Sequence, residues 1–149
     1  MLSQKARYAL HALIVLAEHT GEEPMQIAAI ADEARVPRKF LEQILLDMKK
    51  RGIVKSTRGR SGGYLIGKAP KDISFADVIR TIDGPLALAP CVSPRLGFRK
   101  CDDCPDLHAC SLREALLRAR DATADVLEAY SLADAAASGA DAADQLAAI

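Results

Sequence analysis

Two short β-type runs, Ile53-Val54-Lys55-Ser56 and Tyr64-Leu65-Ile66, are separated only by the basic, glycine-rich segment TRGRSGG. This pattern predicts a β-hairpin with a positively charged tip. Gly59, Gly62 and Gly63 permit positive φ and close backbone approach, while Arg58 and Arg60 project charge beyond the sheet. A phosphate-cradling nucleotide loop fits poorly, because the GxxxxGK[ST] and GxGxxG patterns and their strand-loop-helix context are absent.

What precedes the hairpin narrows the fold. Ser3 can cap a helix from about Gln4 to His19, with Ala6, Leu10, Leu13, Ile14 and Ala17 at helical spacing and Gly21 as the stop. A short helix follows from about Met25 to Ala34. After Arg35-Val36, Pro37 opens a longer helix that Gly52 closes, because the first helical position tolerates a missing N–H. Short helix, tight turn and longer helix make a helix-turn-helix, and the hairpin is then its wing. In the third helix Phe40, Leu41, Ile44, Leu45 and Met48 are expected to face the core. That leaves Arg38, Lys39, Glu42, Gln43 and Lys49 on other faces, side chains able to meet bases and phosphates.

The charge distribution agrees. The net charge is zero, yet residues 1–71 hold 13 Lys/Arg against 7 Asp/Glu, leaving the remainder acidic. A basic half is the footprint of a phosphate-binding surface, although a charged face is more often simply solvated. At 149 residues the chain suits one domain, or a small domain with a helical extension. No run of about 18 apolar residues is present, so a cytoplasmic protein without membrane association is expected, and clustered thiols there read as ligands or redox centres rather than structural bridges.

KARYAL (5–10), FLEQILLDMKKRGIVKSTRGRSGGYLIG (40–67) and a downstream cysteine cluster before a long helix resemble the Rrf-type winged-helix transcriptional regulators, the group of IscR, NsrR, RirA and CymR. The resemblance spans about residues 1–131. It implies a homodimeric regulator of promoter DNA, often a repressor and not an enzyme, with a sensing site between the DNA domain and a long dimerisation helix. The third helix would enter the major groove with Arg38, Lys39, Glu42 and Gln43 as readers or phosphate clamps; Glu42 is equally readable as a solvated charge. The wing, with Arg58, Gly59, Arg60, Gly62 and Gly63, would reach the adjacent minor groove. The family commonly has Pro where this chain has Arg60, which makes this wing more basic. Lys5 and Tyr8 are candidates for phosphate contact, Tyr8 also for core packing.

The expected fold is therefore mainly α with a small β-hairpin wing. Residues 1–71 form the winged helix-turn-helix and 72–110 a connecting helix and cysteine-rich sensor loop. Residues 111–131 form a dimerisation helix, and 132–149 an Ala/Asp-rich tail that is poorly ordered or weakly helical. Ser74 and Asp77 make a capping-box-like start to the connecting helix, which Gly84-Pro85 ends. From Ser111 an apolar stripe of Leu112, Leu116, Ala119, Val126 and Leu127 could cross its copy in a two-fold interface, or pack only on its own chain.

The last motif is CDDCPDLHAC, residues 101–110. With Cys91 the spacing is C-x9-C-x2-C-x5-C. The cluster-binding relatives resemble it in having three loop cysteines, so Cys91 and Cys110 match the outer positions and either Cys101 or Cys104 the middle one. One thiol is surplus. The histidine that completes the set in IscR falls where this chain has Leu112 and Arg113, and His108 lies upstream. Four thiolates suit an iron–sulphur cluster, 2Fe-2S or 4Fe-4S, or tetrahedral zinc; a Cys101–Cys104 disulfide, thiol redox sensing or no ligand remain alternatives. A CxxC redox or zinc-handling protein without operator binding and a winged-helix protein-interaction module are the competing functions. The first lacks a βαβ context and a second catalytic constellation, His11 and His19 lying on a helix face.

Overall fold

The computed structural model describes residues 2–19 and 21–147, with side chains to residue 139. Its order is α1 (Gln4–Glu18), α2 (Ile27–Ala34), α3 (Arg38–Lys50), β1 (Val54–Thr57), β2 (Gly63–Ile66), α4 (Phe75–Ile82), α5 (Arg113–Ala129) and α6 (Leu132–Ala147), with short 3₁₀ turns at 70–72, 90–92 and 94–96. The mainly helical fold with one small hairpin matches the sequence expectation.

Ser3 starts α1 by accepting the Ala6 N–H at 3.0 Å, and its own N–H donates to Asp83 at 2.9 Å, tying the first helix to the end of α4. Arg35 ends α2 in the left-handed conformation, φ 54°, and the Val36 N–H reaches back to the Ala31 carbonyl at 2.9 Å. This closure turns the chain sharply and buries Val36. Pro37 is the N-cap of α3, one position earlier than expected, since its extended ψ of 127° stands outside the helix. Gly52, φ 70°, ends α3 with a hydrogen bond to Lys49.

Ala9, Leu13, Leu16, Ile30, Leu41, Ile44, Leu45 and Met48 form the centre of the core. Each large side chain there contributes about 1.5–3 kcal/mol by leaving water. Phe40 departs from the expectation: it is 42% exposed, with its ring 5.6 Å from that of Tyr8 and the Lys39 ammonium 5.0 Å from its centroid. It lies one position before the buried Leu41 and covers the edge of the core with Tyr8.

The hairpin pairs Val54 with Ile66 and Thr57 with Gly63. Met25, expected to open α2, instead bridges Tyr64 through two backbone hydrogen bonds of 2.9 and 2.8 Å, docking the wing on the segment before α2. A Cβ on Gly63 would lie 2.3 Å from the Met25 carbonyl oxygen, so glycine there serves close approach. Only Gly59 of the three wing glycines has positive φ, 107°.

The expected capping box of α4 is present, Ser74 and Asp77 exchanging hydrogen bonds of 3.1 Å. The tail differs from expectation. Ser131 and Asp134 form a second capping box, Leu132 is fully buried, and the backbone at 130–132 bridges 73–75 before α6 runs against α1. Residues 148–149 of that tail lie outside the described residues. Among the described residues no helix is long and apolar enough to cross a membrane.

Candidate DNA interface and cysteine loop

The outer face of α3 carries the basic signal. Its first turn has no acidic residue, and Arg38, Lys39, Glu42 and Gln43 are all exposed. Arg38 and Glu42 stand 3.8 Å apart along the helix, an exposed pair worth well under about 1 kcal/mol and easily exchanged for a phosphate or base contact. Gln43 is more constrained, its amide donating to Asp47 at 2.9 Å. Lys5 likewise bonds Asp47 at 2.8 Å, so it sits beside α3 but its charge is already matched. The Lys5 hydrogen bond, aided by Gln43 and Lys50, holds the Asp47 carboxyl below the usual range despite partial burial. Tyr8 packs against the core, its ring beside Phe40.

The wing places Arg58, Gly59 and Arg60 at an exposed tip. Gly62 lies inside the turn, its N–H bonded to the Gly59 carbonyl at 3.0 Å, where a Cβ would collide with the Thr57 carbonyl at 2.5 Å. Gly62 and Gly63 thus shape the wing, leaving Gly59 and the two arginines as its outward surface. Arg38 and Lys39 at the start of α3 and Arg58 and Arg60 at the wing tip are thus exposed cations on two separate elements.

The cysteines lie in the segment between α4 and α5. Cys91 is buried in the 3₁₀ turn at 90–92, and Cys101, Cys104 and Cys110 are half-buried in the loop before α5. Cys101 lies beside Cys91, and Cys104 beside Cys110 and within reach of Cys91. The Cys91 contact, followed by burial, pushes the Cys101 thiol up; burial, followed by the Cys110 contact, does the same to Cys104. Cys101 and Cys104, the pair of the alternative disulfide, are joined by a backbone turn, Cys104 N–H to Cys101 carbonyl at 3.2 Å, and the Cys104 thiol donates to the Asp106 carbonyl at 3.2 Å. His108 is exposed. Among the described residues no three cysteine, histidine or carboxylate side chains converge on a point that would hold a single metal ion.

Helix α5 rises from this loop. Leu112 is its N-cap, and none of the helix's residues is buried. Leu112 and Val126 are each 67% exposed, Ala119 is exposed and Leu116 is half-covered. Leu127 leans on the chain's own core, and with Ala119, Leu86 and Leu88 it lines an open groove of about 440 Å³ between α4 and α5. What attaches α5 to its own chain is largely polar: Arg80 to Glu128 at 2.5 Å, Arg120 to the Val92 carbonyl at 2.7 Å and Arg113 to the Cys91 carbonyl at 3.3 Å. Sequence reasoning missed the two α5 arginines, whose only signal is their spacing of seven, two turns along one helix face.

Comparison with known proteins agrees with this layout. Residues 2–138 match the family model Rrf2, described as an iron-dependent transcriptional regulator. An rrf2-like HTH-type transcriptional regulator of Rhodobacter capsulatus is 42% identical over 142 residues, covering 93% of this chain and 94% of its own. Among solved structures, CymR, the global cysteine regulator of B. subtilis, superposes with TM-score 0.73 at 33% identity, covering 92% of this chain and 96% of that one. IscR of T. potens superposes with TM-score 0.74 at 28% identity over 95% and 90%. These relatives are regulators rather than enzymes, and with a family match running from α1 into α6, the chain belongs to the Rrf2 family of transcriptional regulators.

Proposed function

We propose that the protein is a cytoplasmic, homodimeric repressor that binds promoter DNA through α3 and the wing and adjusts its affinity through the cysteine loop. The observation that carries this reading is the contrast between the exposed cations of α3 and the wing tip and the uncovered apolar stripe of α5. Two α5 helices crossing about a two-fold axis would cover Leu112, Leu116, Ala119 and Val126 and set two reading heads on successive half-sites about one helical turn apart, or a multiple. Arg38, Lys39, Glu42 and Gln43 then face the major groove, and Arg58 and Arg60 the minor groove. Lys5 and Tyr8 flank α3, with Lys5 free to reach phosphate once it leaves Asp47.

At the loop, Cys91, Cys101, Cys104 and Cys110 supply four neighbouring sulfurs, the ligand number that an iron–sulphur cluster, 2Fe-2S or 4Fe-4S, takes. The family description as iron-dependent favours iron over zinc. Bound there, the cluster would supply a redox-sensitive anchor for the loop. A second reading, reversible thiol oxidation, is favoured by the same closeness of the four thiols.

Binding to cognate operator and to random duplex, each at two salt concentrations, tests the DNA reading: a steep salt slope with an operator preference is expected, and equal affinity for both duplexes removes it. Protein purified without oxygen is expected to be brown with acid-labile sulphide, and Cys91→Ser, Cys104→Ser and Cys110→Ser each to lose the colour while keeping the helical circular dichroism. Colourless anaerobic protein containing no iron leaves the thiol switch.

A further inference from the structure

A sensing loop alters DNA affinity only if its state reaches an element that sets the spacing of the two reading heads, and here that element is α5. The polar contacts between α5 and the loop fall on two adjacent carbonyls. Arg113 Nε donates to Cys91 at 3.3 Å and Arg120 Nη1 to Val92 at 2.7 Å, so two turns of helix are pinned to one 3₁₀ turn. Cys91 and Val92 are buried, which denies their backbone a solvent-side adjustment. The Arg120 guanidinium also lies 6.0 Å from the centroid of the Phe98 ring, and Phe98 is held at φ 52° with its N–H on the Ser93 carbonyl at 2.9 Å. The Arg120 side chain is only 17% exposed; its Nε and Nη2 are held by the neighbouring Asp121 carboxylate, which aims Nη1 at the Val92 carbonyl.

We infer that Arg113 and Arg120 are positioning residues that convert the state of the Cys91 sulfur into a displacement of α5. The inference rests on the loop-sensor reading above. Both arginines bond backbone carbonyls and not sulfur, so their loss leaves the thiol chemistry in place while releasing the helix from it. Lysine at either position keeps one donor for its carbonyl but loses the planar fork, and at 120 also the guanidinium over Phe98.

The test compares the full-length wild type with Arg113→Met/Arg120→Met in three states: reduced and metal-free, reconstituted anaerobically with ferrous iron and sulphide, and oxidised by glutathione disulfide. In the last, each thiol pair gives up two electrons and two protons and two glutathione molecules are released. Operator affinity of the wild type is expected to shift by at least about fivefold in one treated state, with altered hydrogen exchange over residues 113–120. The double variant is expected to gain the same visible absorption and lose the same number of thiols. It should bind operator within about twofold of wild type when reduced, and hold its affinity shift within about twofold. Arg113→Lys and Arg120→Lys, milder changes that guard against misfolding, should keep the larger part of the shift. A double variant that responds in full overturns the coupling, as does one that no longer takes up colour or oxidises, since the arginines then act on the sulfur site itself. A wild type that binds operator but responds to neither treatment removes the loop-sensor reading and the coupling with it.

Discussion

Helices α3 and α5 are similar in length and opposite in economy. The thirteen residues of α3 put Leu41, Ile44, Leu45 and Met48 entirely out of water and turn cations outward. The seventeen of α5 bury none and, with the N-cap Leu112, turn Val126 and Ala119 outward. The first helix is finished by its own chain, whereas the second has apolar surface that its own chain leaves open. A helix of the second kind is held by a few polar tethers and by Leu127 at the edge of the core.

The sharpest way to break this contrast is to cut into each helix in turn. Leu41→Ala should cost about 2–5 kcal/mol, because a fully buried side chain in a dense core leaves a cavity, and urea denaturation reads it directly. Leu116→Glu/Val126→Glu should leave circular dichroism intact but halve the mass seen by sedimentation and weaken operator binding about 100-fold, as two linked half-sites become one. A variant that stays dimeric would place the interface elsewhere. On the DNA side, Arg58→Ala/Arg60→Ala should weaken operator binding and lower the salt slope by about one unit for each lost phosphate contact. Unchanged affinity and slope would take the wing out of the interface.

The smallest expected effect lies at the Lys5–Asp47 pair. Asp47 titrates below its unfolded value, so the pair's stabilisation is fully present above about pH 4 and lost as pH falls through the folded-state value. Lys5→Met should therefore cost about 0.5 kcal/mol at neutral pH, and the gap should close in strong acid. A gap that persists at low pH would assign the effect to the lysine stem rather than its charge.

The helical stripes of α1 and α3, the cap at Ser3, the box at Ser74 and Asp77 and the hairpin around TRGRSGG are all local patterns, and each appears in the folded chain within a residue or two. The Ser131-x-x-Asp134 box is equally local and went unread beneath the Ala-rich composition of the tail, although it begins a sixteen-residue helix. Phe40 was misplaced because periodicity assigns a face to a residue but not the edge of that face. Met25 was misplaced because a bridge of one residue leaves no periodic trace.

For the site, residue types and spacing determined which side chains are available: a cationic helix face, a basic wing tip and four thiols in one loop. Tertiary structure decided how they are shared. It reserved Gly62 and Gly63 for the wing's shape, engaged Lys5 and Gln43 with Asp47, and brought Cys91 beside Cys101 and Cys110 beside Cys104. It also set Arg113 and Arg120 on the loop's carbonyls. Local propensity and pattern act over a few residues and are written in order along the chain, whereas these partnerships join residues up to 42 positions apart and exist only once the core has brought their elements together.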